Sequence, residues 1–126
     1  SPYAAVIPKF ITIIKSGETP TIFGDGEHTR DFTYVKDIVQ ANIKALGSKQ
    51  GFGEVFNAAA GNRISLNQLI ISINKLLGKN ITPIYVPPRQ GDIKHSFADI
   101  SKASKTFGYK PEVTFEEGLK TTIITL

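Results

Sequence analysis

Cysteine is absent from the 126 residues, methionine is absent too, and histidine occurs only twice. Without cysteine there are no disulfides and no thiolate metal sites, which fits a reducing, cytoplasmic compartment. His28 and His95 stand far apart in sequence with no metal-ligand spacing, so no metal site is expected. Long apolar runs are missing as well. Each is broken within a few residues by lysine, threonine or asparagine, which argues against a membrane span. The opening Ser1-Pro2-Tyr3 has neither the basic nor the apolar stretch of a secretory signal. The lack of methionine, with an opening that reads as the first turn of a helix, points to a portion of a longer protein.

Catalytic signatures are missing in the same way. There is no glycine-rich dinucleotide fingerprint and no Walker loop, because "GDGEHTR" has neither the spacing nor the Lys-Ser/Thr. None of Tyr3, Tyr34, Tyr85 and Tyr109 is followed four residues later by lysine, so no tyrosine–lysine proton-transfer pair exists. No order of Ser, His and Asp suggests a nucleophile. The net charge of +4 comes from lysines scattered along the chain. Nucleic-acid binding usually needs a basic patch with stacking aromatics, so no nucleic-acid partner is expected.

What is present is an alternation of helices and short strands. Apolar residues at Tyr3, Val6, Ile7, Phe10, Ile11 and Ile14 predict a helix over residues 2–15, capped by Ser1, with Pro2 at its first position and Gly17 as its stop. Two strands, Thr21–Phe23 and Asp31–Val35, are expected around a Gly-Asp-Gly turn. A helix over 36–46 follows, then a strand over 53–60 and a turn at "NRIS". Ser65 caps a helix over 66–77, ended by Gly78. A strand at 81–87, a helix over about 100–107 and a last helix capped at Thr114 complete an α/β reading with a single domain over 1–126.

Two loops attract attention. In "GDGEHTRDF", Arg30 lies at a strand start where its guanidinium can reach outward. In "PPRQGDIKHSFADISKA", Pro87-Pro88 stiffen the approach to Arg89, Gly91 permits a sharp turn, and Asp92 follows. Two arginines from separate loops suit a diphosphate clamp, because each fork can give bidentate, charge-assisted hydrogen bonds. A carboxylate such as Asp92 suits ribose hydroxyls. A surface arginine, a local Arg–Asp ion pair and a helix N-cap fit the same spacing, and spacing alone leaves them open. Asp37 reads as a helix-dipole partner, Asn57 as a hydrogen bonder to a neighbouring loop, and Asp99 as an N-cap.

The ordered set "SPYAAVIPKFI", "TIFGDGEHTRDFTYVKDIVQAN", "VFNAAAG", "ISLNQL" and "PPRQGDIKHSFADISKA" resembles the C-terminal, substrate-binding part of NAD-dependent nucleotide-sugar epimerases, which are extended short-chain dehydrogenase/reductases. The likeness is strongest to UDP-N-acetylglucosamine/UDP-glucose 4-epimerases. The resemblance implies that Arg30 and Arg89 grip the UDP diphosphate and that Asp92 bonds the uridine ribose. It implies that Ala5, Val6, Thr21 and Phe23 surround uracil, largely through backbone groups, and that Ile64 packs near the nucleotide. Phe32 stands where some relatives have tyrosine. Ser96 takes the place of a bulky tyrosine in members restricted to non-acetylated sugars, so it implies room for a 2-acetamido group; alternatively it faces solvent or caps the next helix.

In such enzymes a tyrosine takes the C4 hydroxyl proton while hydride passes to NAD, and the 4-keto sugar turns before hydride returns. The NAD site and the catalytic tyrosine of the family lie upstream of the matched motifs. The resemblance therefore implies a substrate-binding portion, inactive alone, whose full-length form is a homodimer. A nucleotide-sugar 4,6-dehydratase or decarboxylase, and a non-catalytic nucleotide-sugar-binding module, are the alternatives.

Overall fold

The helical spacing of apolar residues near the start of the chain does form a helix, but that helix begins at Val6. The structure is a computed structural model that describes residues 5–91 and 94–126. Its elements run α1 (Val6–Lys15), β1 (Thr21–Phe23), β2 (Thr29–Arg30), α2 (Val35–Gly47), β3 (Ile64–Ser65), α3 (Leu66–Leu77), β4 (Ile84–Val86), α4 (Ser101–Phe107) and α5 (Phe115–Thr125). The expected cap at Ser1 and start at Pro2 lie outside the described residues. Ala5, with φ 62°, already interrupts the helical path. Proline explains the later start. In a helix from residue 2, Pro8 would be interior and its ring would clash with the carbonyl four residues earlier. Starting at Val6 puts Pro8 in the first turn, whose N–H groups have no intrahelical partner anyway.

Val6, Phe10, Ile11 and Ile14 form the buried face of α1. They pack with Ile22 of β1, Leu66, Leu69, Ile70 and Ile73 of α3, and Leu119 of α5 to make the main core. The α3 helix follows its sequence signals closely. Ser65 Oγ accepts from the Gln68 N–H at 3.1 Å and the Gln68 side chain accepts from the Ser65 N–H at 2.9 Å, a reciprocal capping box. Gly78 closes this helix at φ 65°. In α5, Thr114 caps through the Glu117 N–H at 3.2 Å. Its β-branched tail stays helical, with Thr121 and Thr122 donating to carbonyls four residues earlier.

The strands depart from the sequence expectation. β1 and β4 pair in parallel, with Phe23 opposite Val86, and β2 and β3 pair antiparallel, with Arg30 opposite Ile64. The strand expected over Asp31–Val35 lies earlier, at Thr29–Arg30, and the expected turn at 62–65 supplies its partner. The segment 53–60, expected as a strand, is irregular. Side chains, not a ladder, bond part of its backbone. Asp31 accepts from the Ala60 N–H at 3.2 Å and the Gly61 N–H at 2.9 Å, while the Tyr109 hydroxyl donates to the Ala59 carbonyl at 2.7 Å.

A second cluster of Ala41, Ala103 and Tyr109, flanked by Phe56 and Phe107, joins α2 to α4. Asp37, expected as a dipole partner, is buried. Its carboxylate accepts from the Glu112 N–H at 2.9 Å and the Val113 N–H at 3.2 Å, tying α2 to the segment that leads into α5. Burial raises the Tyr109 phenol above its ordinary range, and the charges of Asp37 and Asp31 push the same way. Asp99, expected as the N-cap of α4, sits one residue too early: the cap position is Ile100, without a side-chain cap bond, and Asp99 instead accepts from the Ser101 N–H at 2.9 Å in a local turn. Among the described residues no helix is long and apolar enough to cross a membrane.

Candidate functional site

The two loops singled out in the sequence meet. β1 and β4 end side by side, and the pairing runs one step further as the Gly24 N–H donates to the Val86 carbonyl at 2.8 Å. The chain leaving β4 then returns to β2. Thr29 N–H donates to the Lys94 carbonyl at 2.9 Å, Ser96 N–H donates to the Thr29 carbonyl at 3.1 Å, and Thr29 Oγ1 lies 2.8 Å from His95 Nδ1. The segment bearing Arg89 is thus tied at one end to β1 and at the other to β2, which carries Arg30. Between it and the 24–28 turn lies a surface cleft of about 530 Å³, lined by Gly24, Asp25, His28, Val86, Pro88 and Lys94. That volume falls in the usual range for small-ligand sites.

The opposite wall is the 24–28 turn, and Asn67 holds it in place. The Asn67 amide donates to the Asp25 carbonyl at 3.0 Å and to Glu27 Oε1 at 2.6 Å, and its oxygen accepts from the Tyr85 hydroxyl at 2.7 Å. Gly26, at φ 78°, packs directly beneath this amide. Asp25 Oδ1 accepts from the Glu27 N–H at 2.9 Å. That bond lowers the Asp25 carboxyl below its ordinary range, helped by the charges of Lys94 and His28. Both carboxylates of the turn are therefore engaged in shaping it. Among the described residues the ion pair within 4 Å is Lys102–Glu54, so Lys94, which lines the cleft, and the exposed Arg89 make no ion pair of that length there.

The sequence-predicted residues fall into groups. Arg89 Cζ lies 3.8 Å over the ring of Phe23, which joins one predicted phosphate ligand to one predicted uracil neighbour. Arg30, half-buried, donates to the Thr29 carbonyl at 2.7 Å and stands opposite Ile64, which packs against the core. Ser96 is exposed next to Thr29. It does not cap α4, whose cap position is Ile100 and carries no side-chain cap bond, so of its two plain alternatives solvent exposure is the one that stands. Ala5 and Thr21 are exposed, whereas the Val6 side chain is in the core and leaves only its backbone for a ligand. Asp92 lies outside the described residues. Phe32 packs on the core with its ring 6.0 Å from that of Phe115. Asn57 is exposed.

Sequence reasoning missed Asn67, Asp31, Thr29 and Tyr85, which build the site without being expected to touch a ligand. Their signal is weak, since each bonds a segment 18 to 66 residues away. Among the described residues no group of three or more His, Cys, Asp or Glu could hold a metal ion. NAD, the cofactor implied by resemblance, does not fit these residues. The glycine turn after β1 runs into β2 instead of a helix N-terminus, so among the described residues this turn forms no strand–turn–helix cradle for a dinucleotide.

The fold is that of the C-terminal part of UDP-sugar epimerases, and the chain belongs to the GDP-mannose 4,6-dehydratase family, which matches residues 3–122. Over 117 residues it is 40% identical to a putative UDP-glucose 4-epimerase of Methanocaldococcus jannaschii, covering 93% of this chain and 37% of that protein. The solved UDP-N-acetylglucosamine 4-epimerase from Methanobrevibacter ruminantium, in complex with UDP-N-acetylmuramic acid, is 47% identical with a TM-score of 0.87. That match covers 98% of this chain and 39% of that one. UDP-glucuronic acid 4-epimerase from Bacillus cereus, in complex with UDP-glucuronic acid and NAD, is 34% identical with a TM-score of 0.87, over 94% of this chain and 38% of that one. The chain spans less than half the length of each, and the part matched in the epimerase structures is C-terminal.

Proposed function

We propose that these 126 residues are the nucleotide-sugar-binding part of a UDP-sugar 4-epimerase. One observation carries the reading: the loop bearing Arg89 is tied to both strands that flank the other predicted contacts, β1 with Phe23 and β2 with Arg30. Arg30 and Arg89 bind the diphosphate and Asp92 the ribose. Ala5, Val6, Thr21 and Phe23 face uracil through their backbones, with Ile64 beside the nucleotide. The Val6 side chain belongs to the core and the Phe23 ring to Arg89, which agrees with a backbone role for both. NAD is held by residues outside these 126 and supplies hydride transfer there; this chain anchors the nucleotide while the sugar turns. An apolar stripe on α2 (Val35, Val39, Ile43 and Leu46), with Phe52 and Val55 beside it, is exposed. The cofactor-binding part covers this face in the complete enzyme.

Titration calorimetry of the chain with UDP tests the reading. Arg30→Ala and Arg89→Ala are each expected to weaken UDP by roughly tenfold, the loss of a charge-assisted hydrogen bond. No binding by the unaltered chain, or binding indifferent to both substitutions, would sink the clamp.

The sugar we propose is a UDP-N-acetylhexosamine, because serine at position 96 leaves the volume that a tyrosine there would fill. In the complete enzyme, Ser96→Tyr is expected to abolish turnover of the N-acetylated sugar while sparing the non-acetylated one. Parallel kinetics on the two substrates check this, and an equal loss on both refutes the volume argument.

A further inference from the structure

Phe23 stands opposite Val86, and from Val86 the Pro87-Pro88 pair carries the chain in a fixed direction to Arg89. The outcome is a guanidinium carbon 3.8 Å over the centre of the Phe23 ring. Phe23 is half-buried in a paired strand, so its ring is a fixed platform. Arg89 is exposed and, among the described residues, has no ion pair. An exposed arginine samples many rotamers, and capture of a ligand must suppress them. The ring covers one flat face of the guanidinium. The N–H donors lie in the plane of the group and point out from its edge, where among the described residues they make no hydrogen bond. The two other cation–ring contacts among the described residues differ in kind. Arg63 over Phe97 and Lys102 over Phe56 are wider, at 4.6 Å, and Lys102 also donates to the Val55 carbonyl and pairs with Glu54.

We propose that the Phe23 ring is a positioning element for anion capture: it pre-orients Arg89 so that the guanidinium edge meets a diphosphate. Phe23 acts through Arg89, and its ring does not touch the ligand. The inference rests on the nucleotide-sugar reading and adds a function for the side chain of a residue there assigned only backbone contacts.

A double-mutant cycle with UDP as the probe separates this role from a structural one. Phe23→Leu, which keeps apolar bulk but removes the ring, is expected to weaken UDP about two- to fivefold when Arg89 is present. In an Arg89→Ala background the same change is expected to have almost no effect, and Phe23→Tyr is expected to bind like the unaltered chain. Equal losses in both backgrounds, or no loss in either, overturn the inference. Should the leucine variant unfold, pentafluorophenylalanine at position 23 keeps the ring's size and reverses the charge of its face. Weakened UDP binding in that protein supports the positioning role and unchanged binding overturns it. If the unaltered chain binds no UDP, the nucleotide-sugar reading falls and this inference with it. If it binds and the cycle is additive, this inference alone falls.

Discussion

Asp37→Ala is expected to lower the free energy of unfolding by about 3 kcal/mol, read from urea denaturation by circular dichroism. The carboxylate is buried and accepts two backbone N–H groups, of Glu112 at 2.9 Å and Val113 at 3.2 Å. Both donors belong to the irregular segment between α4 and α5, where no ladder or helix offers them another acceptor. Alanine leaves them unpaired and leaves a small void beside α2. Asp37→Asn retains one acceptor oxygen and is expected to lose roughly half as much. A second readout distinguishes this tie from a generic packing defect. Burial, then the charges of Asp37 and Asp31, raises the Tyr109 phenol. Removing the Asp37 charge is therefore expected to bring that phenol down towards its ordinary value, followed by ultraviolet absorbance. The linkage has a definite sign. A raised tyrosine contributes stability that is complete below the unfolded value near pH 10 and is lost as pH rises through the folded one. The alkaline loss of stability linked to Tyr109 is thus expected to be smaller in Asp37→Asn and to level off at lower pH. A cost under about 1 kcal/mol with an unmoved phenol would show that the tie does not hold α2 in place.

Gly26→Ala is expected to cost a further roughly 3 kcal/mol and to weaken UDP binding as well. Two effects add. The residue sits at φ 78°, where a side chain costs about 1–2 kcal/mol. A Cβ there would also come within 2.5 Å of Asn67 Cγ. Asn67 cannot yield cheaply, because its amide bonds the Asp25 carbonyl, Glu27 and the Tyr85 hydroxyl at once. Moving it releases the turn that forms one wall of the cleft. The control is the pair: Gly26→Ala combined with Asn67→Ala removes the collision, so the double variant is expected to be more stable than the sum of the single losses. Thermal melts of the four proteins measure this, and strict additivity would show that the collision does not matter.

Local signals carried much of the fold. Ser65 with Gln68, Thr114 ahead of Glu117 and the glycines at 78 and 108 mark helix ends within a few residues of each other, and the structure places caps there. The apolar spacing of α1 and α3 identified the faces that form the main core. Pro8 was a local signal that the periodicity of α1 overrode in the sequence reading, and the backbone obeys the proline. Arg89 could be recognised as set apart because the two prolines before it are a property of neighbouring residues.

What sequence alone determined about this protein is its α/β class and the family to which its ordered motifs point. Tertiary structure decided how its segments meet. Strand pairing was illegible because β1 finds β4, and β2 finds β3, across helices and long connections, whereas the glycine turn between β1 and β2 suggested a local pair. The segment 53–60 was mistaken for a strand because its acceptors and donors are Asp31 and Tyr109, which lie about 30 and 50 residues away. Asp37 looked like a helix-end charge until its two distant N–H partners were in place. The cause is common to all three. Periodicity and capping are written within a few residues, but a buried polar group is satisfied by whatever the folded chain brings to it, and that depends on contacts no local pattern encodes.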